Sequence, residues 1–437
     1  MTGSPRPPDD PVWRQALHTG DRLPHTSPAE EVRWGLDLPR TLLPAPDGLD
    51  QPAVFDPALL QHAYAFRAGD PRFADEAQAR TWFRARRTAL DLVLSAVADS
   101  PHAGRLVLRG SALMATWFGD AAREPGDLDF VAPYEWDAEG PEAQALFPEI
   151  ASAAQAAAQA WQDGAVRIDA AGAVTEDIWT YDRVPGRRML LPWTAADTVG
   201  GTVQLDVVYG ELLAAPAVPT TLHPLGDGPA ATLPAVTPEL SLAWKVMWLI
   251  NDMHPQGKDL YDAVLLAGRA VPVYDMLRSA FVLAGDELLR PGGRWWLEEI
   301  AAYAGVGWEH FQREYPQVTG TAQEYVARLA AALEPLVSRA ERDAEAPAYD
   351  RWARWLVPLV ERVGASDPIA PAAAVGHLSS AGLVGLRAAV VTVREVLGRD
   401  AVTPAQALTA VVEADERWSY WRPHAQSGAD LLDGVPD

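Results

Sequence analysis

Between Leu106 and Val131 the chain reads LVLRGSALMATWFGDAAREPGDLDFV, a run that few folds accommodate. Leu106, Val107 and Leu108 predict a short buried strand that stops at Gly110. Ser111 then opens a helix through Leu113, Met114 and Trp117, and a second strand begins at Asp127. A glycine turn feeding a helix presents free backbone N–H groups and the positive end of the helix dipole, which together favour a phosphate. Gly110 allows close approach and the Ser111 hydroxyl can donate to a phosphate oxygen. The plainer alternative is a turn with a helix cap.

In Asp127-Leu128-Asp129-Phe130 the period of two along a strand sends both carboxylates to one face and both apolar side chains to the other. Adjacent like charges are tolerable when a divalent cation lies between them, and oxygen-only ligands suit Mg²⁺ or Mn²⁺. An exposed alternating edge strand is the competing explanation. A third carboxylate, Asp206, sits among Leu205, Val207 and Val208 in TVQLDVVY, where it needs either a metal or a buried arginine. Carboxylates on two neighbouring strands can hold two metal ions, activate a nucleophile and neutralise a leaving pyrophosphate.

The surroundings predict an α/β (α+β) domain. A helix over about Asp75 to Ala98, strand-like pieces at Val166–Ile168, Met189–Leu191 and Val203–Tyr209, and a helical stretch over 141–161 alternate as a mixed sheet with helices requires. After about Pro238 nearly every segment has helical periodicity, so an all-helical carboxy-terminal region is expected. The expected division is a proline-rich extension over residues 1–75, to which no chemistry is assigned, a core over 76–236, and a helical region over 237–437. The tryptophans of that last region (Trp295, Trp296, Trp308, Trp352, Trp355, Trp418, Trp421) are spaced for packing rather than for stacking on bases. No repeat of 20 to 50 residues emerges.

Composition narrows the chemistry. There is no cysteine, so disulfides, thiolate catalysis and Cys-based zinc sites are excluded. The nine histidines are scattered, none at the spacing that aims two imidazoles at one metal, so any metal should be oxygen-bound. No secretion signal opens the chain, and Pro368 to Leu386, though uncharged, is too rich in Pro and Gly for a bilayer helix; a cytoplasmic protein without membrane partners is expected. A net charge of −23 repels nucleic acid on average. Two arginine groups, Arg80/Arg84/Arg86/Arg87 and Arg183/Arg187/Arg188, are either local basic tracks or charges balanced by nearby acids. GxxxxGK[ST], GxSxG and complete GxGxxG motifs are missing, which removes P-loop, α/β-hydrolase and Rossmann chemistry.

Thr237-Pro238-Glu239 supplies a cap, a first-turn proline and an early acid, so a helix starts there. Lys245 lies inside its apolar run Ala243–Ile250 and must snorkel or meet an anion, for which a triphosphate would serve. On the next helix Lys258, Asp259 and Asp262 fall at i, i+3 and i+4 spacings, compatible also with a plain surface ion pair.

Hydrophobic-Gly-Ser, Asp-hydrophobic-Asp-hydrophobic and a later strand Asp together resemble the nucleotidyltransferase superfamily of polymerase-beta-like enzymes. More narrowly, LVLRGSALMATWFG, Arg123, DLDF and ELSLAWKVMWLINDMHPQGKDLYDAVLLA resemble the AbiEii/AbiGii toxin family over roughly residues 80–270. Ser111 stands where members often carry a second glycine, Pro125-Gly126 where they often carry serine, and the usual arginine near Asn251 and Asp252 is missing. The resemblance implies an Mg²⁺-dependent nucleotidyltransferase acting on NTP. Gly110, Ser111, Lys245, Lys258, Asp259 and Asp262 would bind the nucleotide, and Asp127, Asp129 and Asp206 would hold metal and act in catalysis, Asp206 helping to deprotonate the acceptor. It also implies a toxin of a toxin–antitoxin or abortive-infection system with a possible cognate antitoxin, acting on the 3′ end of tRNA. The alternatives are nucleotidylation of a protein or an antibiotic-type small molecule, or a silent module that binds NTP or a partner protein.

Overall fold

The computed structural model describes residues 10–132, 139–161, 165–180, 184–302 and 307–425. They form two compact units, one comprising residues up to 211 plus 217–236, the other 212–216 plus 237 onward.

The first unit opens with α1 (Pro11–Thr19), α2 (Glu30–Leu36) and the antiparallel pair β1 (Ala53–Phe55) and β2 (Phe66–Ala68). Trp13, Leu17, Leu23, Val32, Leu36, Leu38 and Leu42 of this stretch build a small apolar core of their own. The chain continues through α3 (Glu76–Asp99), β3 (Val107–Arg109), α4 (Ser111–Phe118), β4 (Asp127–Ala132), α5 (Pro141–Ala160), β5 (Val166–Ile168), β6 (Val174–Thr180), β7 (Val184–Ala195), β8 (Gly201–Tyr209), β9 (Val218–Leu222) and β10 (Ala231–Ala235). Among the described residues one mixed sheet results, in the order β5-β7-β8-β4-β3-β10-β9, with β6 beside the first half of β7. The pairs β4/β8 and β3/β10 are parallel and the others antiparallel. The mixed α/β fold read from the sequence is the one observed. Asp75 caps α3 as its position suggests, accepting from Ala77 N–H. Along that helix Trp82, Ala89, Leu90, Val93 and Val97 are buried, and the helix packs against α5, β7, β8 and β10.

One anchor of this packing is a carboxylate. Asp91, 2% exposed, accepts from the backbone N–H of Leu225, Gly226 and Gly228 in the loop between β9 and β10. A side chain at Gly228 would collide with Asp91. Burial raises this carboxyl to about 6, against the three N–H groups and with help from Asp227. An unfolded Asp titrates near ~3.9, so the native state binds the extra proton. Its contribution to stability is complete below that value and fades as pH rises through about 6. Between pH 4 and 7 wild type should lose about 2 kcal/mol from this group, and Asp91→Asn should not. Urea unfolding of both proteins across that window checks the difference in slope.

The second unit is helical throughout its described residues after Val236. Its first helices are α6 (Pro238–Asn251) and α7 (Gly257–Arg269), and the Thr237 hydroxyl accepts from Leu240 N–H as the cap reading requires. Trp296, Trp308, Trp352, Trp355 and Trp418 are buried. Trp355 packs against Trp296 at 5.6 Å between ring centroids and donates its Nε1–H to the carbonyl of Leu288. No helix among the described residues is long and apolar enough to cross a membrane.

Candidate active site

Three strands bring the acidic residues together. Asp127 and Asp129 alternate with the buried Leu128 and Phe130 on β4, so both lie on one face and are partly accessible. In the parallel register Asp129 sits opposite Asp206 of β8, and Asp127 opposite Gln204. Arg109 faces Asp129 from β3, Arg188 faces Asp206 from β7, and Glu176 faces Arg188 from β6. Cross-strand partners share a face, so Arg109, Asp129, Asp206, Arg188 and Glu176 make a charged row across five strands.

Gly110 holds the turn beside this row. Its φ of 83° and ψ of −149° belong to a region essentially reserved for glycine. A side chain there would also run into the Asp129 carboxylate. Ser111 starts α4 fully buried, and its hydroxyl donates to the carbonyl of Asp127 at 3.1 Å and to Asp127 Oδ1 at 3.2 Å. The Ser111 hydroxyl thus braces the first carboxylate of the pair.

Asp206 has taken the arginine partner that its buried setting demanded. Arg188 grips it with Nε to Oδ1 and Nη2 to Oδ2, both 2.8 Å, and Gln204 Nε2 donates to Oδ2 at 3.1 Å. Burial pushes the Asp206 carboxyl up; Arg188 pulls it back down, while Asp127 and Asp56 push it further up. Burial works against the charge of Arg188, but Asp206 and Asp56 outweigh it and hold the guanidinium firmly protonated. A carboxylate has about four acceptor positions, so Arg188 and Gln204 leave Asp206 about one. Among the described residues no group of three or more His, Asp or Glu side chains stands placed to hold a metal ion. The donor set nonetheless suits Mg²⁺, which is commonly bound by one or two carboxylates with phosphate oxygens and water completing the shell. Asp127 and Asp129 are such a pair, and the notch left by the missing side chain of Gly110 opens at Asp129.

Lys245, Lys258, Asp259 and Asp262 belong to the second unit. Lys245 is buried and meets its anion within that unit: Nζ lies 2.6 Å from Asp259 Oδ1, 3.5 Å from Asp262 Oδ2 and 4.7 Å from the centroid of the Trp248 ring. Lys258 is half-buried in the first turn of α7.

Both arginine groups are engaged by acids. Arg84 pairs with Asp227, Arg86 with Asp70 and Glu124, and Arg87 with Glu124. Arg187 pairs with Asp177 and Arg188 with Asp206 and Asp56; Arg183 lies outside the described residues. Elsewhere in the first unit, a cavity of about 630 Å³ opens between α5, β5 and β7; none of the predicted site residues lines it.

A family model described as nucleotidyl transferase AbiEii toxin, type IV TA system, matches residues 92–346, more than half of the chain. The chain belongs to the AbiEii nucleotidyl transferase toxin family. No curated protein matches it. Membership makes it an AbiEii-type nucleotidyltransferase toxin of a type IV toxin–antitoxin system, with an NTP substrate and a cognate antitoxin implied. The silent-module alternative is thereby set aside. The AbiEii match spans β3, α4, β4, β8, α6 and α7, and so every residue expected to bind nucleotide or metal.

Sequence reasoning missed Asp56 and left Arg188 between a basic track and a charge balanced by nearby acids; the structure pairs it with acids. Arg188 opens the apolar run Met189-Leu190-Leu191, which marks a strand entering the core, and Gln204 and Asp206 at i, i+2 mark one face of a strand. These signals could have singled out the buried pair. Asp56-Pro57 reads only as a turn cap, a role it also fills through Ala58 N–H.

Proposed function

We propose that this protein moves a nucleoside monophosphate from an NTP to an acceptor hydroxyl with Mg²⁺, using Asp127, Asp129 and Asp206. The observation that carries the reading is the row in which Asp129 and Asp206 stand side by side, with Asp127 two residues away and the Gly110 turn pressed against Asp129. Asp127, Asp129 and Asp206 would hold the cation, with Ser111 fixing the orientation of Asp127. When bound, the cation supplies charge neutralisation for the phosphates and the departing pyrophosphate. The backbone at the start of α4 offers N–H groups to phosphate oxygens. Asp206, raised by burial and beside the cation, would help to deprotonate the acceptor hydroxyl. Lys245, Lys258, Asp259 and Asp262 would contact the nucleotide or organise its binding, Lys245 neutralising phosphate charge in place of part of its pairing with Asp259 and Asp262.

The acceptor we propose is the 3′ end of tRNA. A second reading, a hydroxyl on a protein or small molecule, is favoured by the pairing of both arginine groups with acids, since an RNA acceptor calls for a basic track. The test is to incubate purified protein with Mg²⁺, each labelled NTP and either total RNA or total protein, with Asp127→Ala as control. Label in RNA that requires Asp127 supports the first reading, and label confined to protein the second. Label appearing equally with both enzymes would remove the proposed site.

A further inference from the structure

The amino-terminal segment precedes the family match, yet it reaches into the charged row at two points. Glu176, at one end of the row, accepts from the backbone N–H of Arg40 and Thr41 and from the Thr41 hydroxyl, and pairs with His62. One strand further in, Asp56 Oδ2 receives Arg188 Nη1 at 2.7 Å. Asp56 is held for this contact from three sides. Its N–H donates to the Ala65 carbonyl, its Oδ1 caps the turn at Ala58, and it follows directly on β1. Arg188 is buried to 3% of its side-chain surface, and Asp56 and Asp206 are nearly as enclosed.

The charge count gives this contact a consequence. Arg188 alone would cancel Asp206, leaving a neutral pair beside Asp127 and Asp129. With Asp56 on the same guanidinium, Arg188 divides its charge between two carboxylates, while Arg67 Nε, 3.9 Å from Asp56 Oδ2, also faces Asp56. We propose that Asp56 is a positioning residue of the nucleotidyl-transfer site: by sharing Arg188 it keeps Asp206 oriented and leaves it negative charge to offer a divalent cation. This rests on the reading that Asp127, Asp129 and Asp206 attend the cation. The amino-terminal segment thereby completes a site whose other acids lie within the family match.

The test measures Mn²⁺ binding by electron paramagnetic resonance on the full chain, with thermal melting as a check on folding. Removing partners one shell out from a metal typically weakens binding by about 10- to 100-fold, so Asp56→Asn is expected to weaken Mn²⁺ by about tenfold or more. Asp56→Glu, which keeps the charge, should stay well above it in affinity. Wild-type Mn²⁺ affinity in a folded Asp56→Asn protein would overturn the proposal. So would an equal loss in Asp56→Glu. If Asp56→Asn does not fold, Asp56→Ser takes its place, because serine keeps the cap on Ala58 N–H while removing the charge. A loss of Mn²⁺ affinity of about tenfold or more supports the proposal and wild-type affinity overturns it. Asp129→Asn tests the underlying reading separately. If it leaves Mn²⁺ binding intact, the cation site itself falls, whereas its loss alongside an unchanged Asp56→Asn removes only the role of Asp56.

Discussion

Asparagine in place of Asp129 is expected to lower the rate of nucleotide transfer about a thousandfold, equivalent to ~4 kcal/mol of transition-state stabilisation. Asp129 stands in the row between Asp206 on β8 and Arg109 on β3, and against the Gly110 turn. The substitution keeps size and shape and removes one of the charges that would face the phosphate-bound cation. Two carboxylates on one strand face repel each other, so neutralising one should cost little folding stability. The expected pattern is therefore a large fall in turnover with a melting temperature within a few degrees of wild type, read by single-turnover transfer of labelled NTP and by calorimetry. Transfer retained within about tenfold would argue that the cation is held elsewhere.

Arg188→Met should have the opposite signature, a large loss of stability. The side chain is similar in volume, but its removal takes the guanidinium from Asp206 and Asp56, both enclosed and both bonded to it, although Arg67 at 3.9 Å still faces Asp56. Breaking a buried pair from one side typically costs about 3–5 kcal/mol, because the remaining charge has no compensation. Thermal unfolding of the first unit should fall by on the order of 10 °C. Adding Asp206→Asn to Arg188→Met should recover a substantial part of that loss, since the chain no longer buries that lone carboxylate. If the double variant is as unstable as the single one, Arg188 matters for its packing and not for its charge.

Much of the first unit could be read along the chain because local chemistry and fold agree there. Asp127-Leu128-Asp129-Phe130 has the alternation of a half-buried strand and is one. Thr237-Pro238 carries a cap and a preset φ, and α6 begins there. Strands β9 and β10 were hidden. VPTTL and ATLPA contain prolines that argue against a sheet interior, but Pro219 lies on the edge strand. Pro234 escapes because β10 meets β3 only at Ala235. The site was legible by residue type and not by partnership. Asp206 on β8 called for a cation or an arginine, yet Asp56, its neighbour through Arg188, is remote in sequence and belongs to a stretch whose composition suggests mere covering. Lys245 likewise announced that it needed an anion; that Asp259 and Asp262 supply it depends on how α6 and α7 pack.

The indole of Trp355, donating to the carbonyl of Leu288, joins two stretches that fall on opposite sides of the point where the family match stops, at residue 346. A fragment trimmed to the matched boundary would lose that donor and uncover Trp296 and Phe281, which Trp355 covers. The later helices are therefore a structural wall of the second unit. Expression vectors, truncation series and domain swaps should keep them, because the border of sequence likeness falls inside a single folded body.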